Sequence, residues 1–164
     1  MSKTYSSIFF PLSNVDPAGI DQGLIPEEIE TDQDGRQTRK YIGEEALKYL
    51  FRNLILTIPA NRDPNGVGEG ISDSDFGIGL TTYLFNLETE DFSSLKGTLD
   101  RKIAKYILDQ GYIKKFKTDV RVNSNQNSIT VIVKYVPAGK NKLKTFAQAV
   151  SVDIWLCKLI ILNY

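Results

Sequence analysis

Residues 116–136 read FKTDVRVNSNQNSITVIVKYV, and the rhythm of this stretch decides what the rest of the chain must do. FKTDVRV and SITVIVKYV alternate with a period of two and are rich in β-branched side chains, which suit the pleated, half-buried surface of a sheet. Between them lies NSNQN, five small polar residues of the kind that reverse a chain. The stretch is therefore an antiparallel hairpin. Beyond PAGKNK comes another extended segment, FAQAVSVDI, with Phe146, Val150, Val152 and Ile154 on one face. The closing run WLCKLIILNY is apolar enough to be strand or helix.

Upstream the period changes. From Glu44, the residues Leu47, Leu50, Phe51, Leu54 and Ile58 recur at steps of three and four and form one face of a helix. Glu44 and Glu45 suit its N-terminus, where the helix dipole favours negative charge. Pro59 ends it, because proline biases the preceding residue away from helical geometry. A second helix is expected from Asp91 to Gln110, with Leu95, Leu99, Ile103, Tyr106 and Ile107 as its stripe and Lys96, Asp100, Lys102 and Asp109 facing away. Gly111 is placed to stop it. Between the two, Asp73, Ser74 or Asp75 is expected to cap a short helix carrying Leu80, Tyr83, Leu84 and Phe85.

Before Glu44, the segment Ile29–Ile42 has an Asp34-Gly35 turn between extended flanks and reads as a small hairpin. Pro11, Pro17 and Pro26 leave no room for an ordinary helix in the first part of the chain, which reads as an arm or an edge-packed strand. Helices followed by strands indicate an α+β domain: two main amphipathic helices packed on a small antiparallel sheet made of a hairpin and a further strand. The predicted division is an N-terminal arm at 1–25, the domain at 26–154 and an apolar C-terminal tail at 155–164.

Composition narrows the chemistry. At 164 residues the chain is the size of one domain with its own core. Twenty basic residues balance twenty acidic ones, so no overall field favours nucleic acid, and the cluster Lys114, Lys115 and Lys117 reads as a solvated face. Histidine is absent, which removes the commonest general base and metal ligand. Cys157 sits among apolar neighbours that favour a buried, inert thiol. Glu30, Asp32, Asp34 and Gly35 imitate the start of a calcium loop, but Tyr41 stands where a bidentate glutamate is required. The loop NGVGEG at 65–70 lacks the Lys-Ser or Lys-Thr pair of a phosphate cradle and reads as a flexible connection. Glu69, Asp73 and Asp75 are the candidate carboxylates for a glycosidase, yet nothing near them in sequence would raise a pKa. The expectation is a soluble, intracellular, noncatalytic chain with no cofactor, no metal and no membrane anchor.

The order of motifs resembles the baseplate wedge family of contractile phage tails, to which a component of type VI secretion baseplates is related. The resemblance spans Pro26 to Pro137 and is sharpest at Leu56-Thr57-Ile58-Pro59 with Arg62, and at Asp75-Phe76-Gly77 followed by Leu80 and Leu84-Phe85. Arg62 matches the arginine of the family's Pro-Gly-Glu-Arg turn, while Ala60 and Asn61 occupy the glycine and glutamate places. NGVGEGIS looks like an insertion, and the segment after Pro137 matches only loosely. The resemblance implies a structural virion protein, six copies per baseplate ring, that joins inner wedge proteins to the tail sheath and templates its first ring. It implies a partner interface at Pro59, Asn61, Arg62, Asp75 and Phe76 and along Val120, Val122, Val131 and Val133. The apolar C-terminal run adds Trp155. Some family members carry a lysozyme-like label and a distant one is a bacterial stress regulator, so the alternatives are a peptidoglycan-cleaving enzyme and a free regulatory binding domain.

Overall fold

A computed structural model describes residues 5–6, 27–69, 73–87, 92–153 and 158–163. The fold is α+β, with two main helices packed on one face of a four-stranded antiparallel sheet. That sheet runs in the order β4 (Ile113–Asn123), β5 (Ser128–Pro137), β6 (Lys144–Asp153) and β7 (Lys158–Asn163). Its nucleus is the expected hairpin: Val120 pairs with Val131 and Phe116 with Tyr135. A single turn of 3-10 helix, Ser124–Gln126, closes the hairpin. Asn127 follows in the left-handed region (φ 44°), which asparagine tolerates better than most residues.

Alternation then separates the faces. Ile129, Val131, Val133 and Tyr135 point to the helices and are fully buried, as is Val150 beside them on β6, where Phe146 is buried too. Lys117, Asp119, Arg121, Thr130, Ile132 and Lys134 share the opposite, outer face. Helix α1 (Glu44–Leu56) lies against β6 and helix α2 (Phe92–Ile103) against β4. Leu47, Leu50, Phe51 and Leu54 of α1 meet Leu95, Leu99 and Ile103 of α2 in one continuous core. Phe51 is the hub, with its ring 5.0 Å from Tyr135 and 5.5 Å from Phe146.

A smaller sheet contains β1 (Tyr5–Ser6), β2 (Glu27–Thr31) and β3 (Gln37–Ile42) in that order. Its hairpin turn consumes the carboxylate of the calcium-like motif: Asp32 Oδ1 accepts from the backbone N–H groups of Asp34 and Arg36, at 3.0 and 2.8 Å. The sheet is fastened to α1 by Tyr41, which stacks on Tyr49 at 4.4 Å and carries Arg39 on its ring.

Several expectations change. The chain end is not a separate tail, because Lys158–Asn163 pairs with β6 as the fourth strand; Gln148, fully buried, donates its Nε2 to the Leu162 carbonyl at 2.8 Å. Tyr5–Ser6, in the stretch read as an arm or an edge-packed strand, pairs with β2 at the edge of the smaller sheet. The short helix is a 3-10 helix, Leu80–Asn86, with Gly79 at its N-cap and no side-chain cap; Phe85 is exposed. The second helix does not run regularly to Gln110: after Ile103 it widens into a π turn, Ala104–Leu108, with the Asp109 amide reaching the Ala104 carbonyl. Ile154, Trp155 and Cys157 lie outside the described residues.

Candidate partner interface

The two segments singled out in the sequence, LTIP with Arg62 and DFG with its following helix, pack directly on each other. The Ile78 N–H donates to the Leu54 carbonyl at 2.7 Å and the Gly79 N–H to the Thr57 carbonyl at 2.8 Å, satisfying acceptors that the helix end leaves open. Gly77 has φ +103° and a Cβ there would strike the Thr57 carbonyl oxygen. Arg62, at the end of the 3-10 turn Ala60–Arg62, lies 3.5 Å over the Tyr83 ring. Its Nε donates to Thr82 Oγ1 at 2.7 Å, and that hydroxyl donates to the Gly79 carbonyl at 2.7 Å. The arginine thus braces one segment against the other, and Asn61 beside it is exposed.

The glycine-rich loop is not a loose connection over its described part. Asp63 accepts from the Asn65 and Gly68 amides, both at 2.9 Å. Glu69 accepts from the Ile58 N–H at 2.9 Å while its own N–H reaches the Ile58 carbonyl at 2.8 Å. The loop therefore folds back onto the turn between Ile58 and Ala60, whose Ala60 N–H also bonds the Ser74 carbonyl at 3.0 Å. Each of these carboxylates serves the backbone.

On the other side, α2 and its π turn clamp the Asp73–Gly77 segment. Lys102, expected to face away, is 2 % exposed. Its ammonium donates to the carbonyls of Asp75 and Gly77 at 2.5 and 2.6 Å and lies 3.4 Å from Asp75 Oδ1. Three acceptors for three donors is what lets a cation stay buried. The Tyr106 hydroxyl donates to Asp73 Oδ2 at 2.6 Å, and the Phe76 ring meets the Tyr106 ring edge-on at 5.1 Å. Lys105 bonds Asp75 Oδ2 at 3.2 Å and lies 3.6 Å from Asp73 Oδ2. A signal was present in the sequence: Lys102 falls on the Leu95–Leu99–Ile103–Tyr106 stripe, where a lysine is out of place unless it is partnered.

These contacts set the protonation states. The Tyr106 hydrogen bond, with the Asp75 amide, holds the Asp73 carboxyl below its ordinary range. Partial burial pushes the Asp75 carboxyl up, but the Lys105 bond and the Lys102 charge outweigh it and bring it down. Burial, reinforced by Asp73, pushes Tyr106 up to about 12. Burial pushes Lys102 down against the pull of Asp75. Both carboxylates are thus held ionised, the opposite of what a glycosidase acid requires. The signs predict two limbs in a pH series. Carboxylates lowered in the fold stabilise it above their unfolded value of 3.8, and this is lost as pH falls through the lower folded values. Tyr106 and Tyr135, both raised to about 12 from 10.0, keep their protons longer folded than unfolded, so stability falls as pH rises between those values. Lys102 opposes this alkaline loss, since its folded pKa is lowered. Thermal melts across pH should show both limbs, and Tyr106→Phe should flatten both, because one hydroxyl lowers Asp73 and titrates itself. An acid limb as steep as that of the unaltered protein would contradict the assignment.

The sheet offers a different kind of surface. Among the described residues β4 pairs only with β5, so one side of an eleven-residue strand carries open N–H and C=O groups. Val120 and Val122 are half-buried on its helix-facing side. Val131 and Val133, expected at the interface, are core residues instead: β5 is an interior strand and both side chains are 0 % exposed. Pro59 is buried, Asp75 is exposed and Phe76 is half-buried. Trp155 lies outside the described residues. At the far edge of the sheet, Leu159, Ile161 and Leu162 of β7 remain exposed.

Among the described residues no cluster of three carboxylate or cysteine side chains is arranged to hold a metal, and no helix is long and apolar enough to cross a membrane. No protein-family model, curated protein or solved structure matches the chain.

Proposed function

We propose that this chain is a structural subunit of a contractile-tail baseplate wedge, which joins inner wedge proteins to the tail sheath and templates the first sheath ring. In this reading it is present in six copies per ring, is assembled in the host cytoplasm and resides in the virion. It works by shape and pairing and not by catalysis, with no cofactor.

The observation that carries the reading is the edge of β4, open among the described residues, on an antiparallel sheet with one face covered by helices. A partner strand laid along that edge satisfies its unpaired backbone groups and continues the sheet, which is how β-strand addition gains affinity. The braced unit of the Arg62 turn and the Asp75-Phe76-Gly77 segment supplies a second, rigid contact. Arg62 is held by Tyr83 and Thr82, so it shapes the turn, while the exposed Asn61 and Asp75 meet the wedge partner. The lysozyme-like alternative is the weaker one, because Glu69 is tied to the Ile58 amide and both aspartates are held ionised.

Neighbouring amides of an edge strand point in opposite directions, one to its partner strand and one outward. Of the pair Asp119→Pro and Val120→Pro, one therefore removes a donor to β5 and the other a donor to the incoming strand. The variant that keeps a native circular dichroism spectrum should fail to enter a six-fold ring of tail proteins, while the unaltered chain copurifies with it. Normal ring and sheath assembly by that variant would sink the reading. A stable monomer that takes one soluble host partner and never a tail would favour the regulatory alternative.

A further inference from the structure

The outer face of the sheet beside the β4 edge holds an unbalanced set of charges. Lys117 and Lys134 are directly opposite each other in the β4–β5 register. Like charges in that position destabilise a sheet. Lysine on an edge strand guards against aggregation, but Lys134 lies on the interior strand β5, where there is no edge to guard. Its other cross-strand neighbour is Thr145, and no carboxylate lies within ion-pair distance of either lysine among the described residues. Two residues further along β4, Asp119 is already held by Arg121 Nε at 3.1 Å. Lys96 reaches the same place from α2, bridged to Asp100 at 2.7 Å. Together with Thr118 and Ile132 these side chains line a groove of about 390 Å³ along the edge.

We propose that this groove selects an acidic partner strand with the pattern acidic–apolar–uncharged–apolar–acidic. The inference rests on the reading that β4 accepts a strand, and it adds what that strand must carry. Side chains of an added strand that stand beside Lys117, Asp119 and Arg121 project to the same outer face at alternate positions. A carboxylate next to Lys117 relieves the lysine pair, and one next to Arg121 takes the terminal guanidinium nitrogens that Asp119 leaves. The middle position faces the Asp119 carboxylate and excludes a third acid. The two intervening positions lie beside Val120, which packs against the core and favours an apolar neighbour, and beside Thr118, whose hydroxyl already donates to Asp100 and leaves a newcomer no polar partner. The pattern reads the same in both directions, so it suits a parallel or an antiparallel strand.

The test uses three capped synthetic peptides with the cores Glu-Val-Thr-Val-Glu, Gln-Val-Thr-Val-Gln and Lys-Val-Thr-Val-Lys, titrated calorimetrically into the full chain. The glutamate peptide should bind roughly tenfold more tightly than the glutamine peptide, about what two partly exposed ion pairs supply. The difference should shrink at high salt. Lys117→Glu with Arg121→Glu, both on the exposed face, should turn the preference towards the lysine peptide. Equal affinity for all three peptides would overturn the charge selection and leave strand addition standing. Failure of every peptide to bind would overturn both. Tighter binding of a single-stranded oligonucleotide of matched charge would also overturn the proposal, by assigning the groove to nucleic acid.

Discussion

Gly77→Ala should lower the stability of the chain by on the order of 3 kcal/mol, the sum of a side chain forced to positive φ and a steric conflict with backbone. The conflict has no soft solution. The nearest atoms to the new methyl group are the Thr57 carbonyl oxygen and carbon, and that carbonyl is fixed by the Gly79 N–H at 2.8 Å. Relief requires the Asp75-Phe76-Gly77 segment to move off the end of α1, which would break the Lys102 and Ile78 bonds as well. At the size of this domain the loss corresponds to a melting temperature lower by roughly 6–12 °C. Gly97→Ala is the matched control. Gly97 lies inside α2 with nothing within 4 Å of an added Cβ, so the same substitution there should raise stability by about 0.5–1 kcal/mol. Opposite signs at the two glycines, measured by denaturant titration, are the expected result. Equal signs would show that the contact between the two segments is not rigid.

Lys102→Met should cost about 2–3 kcal/mol. Methionine keeps most of the buried stem but withdraws the ammonium from the carbonyls of Asp75 and Gly77, and hydrogen bonds to charged groups contribute roughly 1.5–3 kcal/mol each. The estimate lies below the sum of two such bonds because removing the cation also removes its desolvation penalty, visible in the lowered Lys102 pKa. Lys102→Arg should fail to restore the loss, since a flat guanidinium cannot meet three acceptors grouped around a point charge. Hydrogen exchange should localise the damage, with the Ile78 and Gly79 amides opening faster while β5 amides keep their protection. A Lys102→Met protein as stable as the unaltered chain would mean that desolvation cancels the whole gain.

These two residues also mark how far the candidate site was legible. LTIP, Arg62 and Asp75-Phe76-Gly77 are local patterns, and they stood out only through the family resemblance, since the residues alone read as a helix end, a loop and a cap. Their mutual packing did not, because nothing in a helix end announces that a glycine two turns of loop away must touch it. The same holds for Arg62: its match to the family's arginine implied a partner contact, and the structure sets its guanidinium against Tyr83 and Thr82. Val131 and Val133 illustrate the reverse error. Alternation correctly put them on one face of a strand, but a strand's place in the sheet determines whether that face meets solvent, a partner or a helix.

By itself the sequence determined the types of the main elements: the hairpin at 116–136, the stripe of α1 from Leu47 to Leu54, though not Ile58, which lies beyond the helix end, and the first part of α2, and through their order the α+β class. Those follow from spacing along the chain, since backbone geometry alone decides which side chains share a face. Only the tertiary structure decided that among the described residues β4 is an edge and β5 is not, that the chain end closes the sheet as β7, and what partners the lysine on the α2 stripe. The acceptors that make burial of Lys102 tolerable come from residues 25 and 27 positions away, delivered by the fold, and no periodicity within α2 reports them.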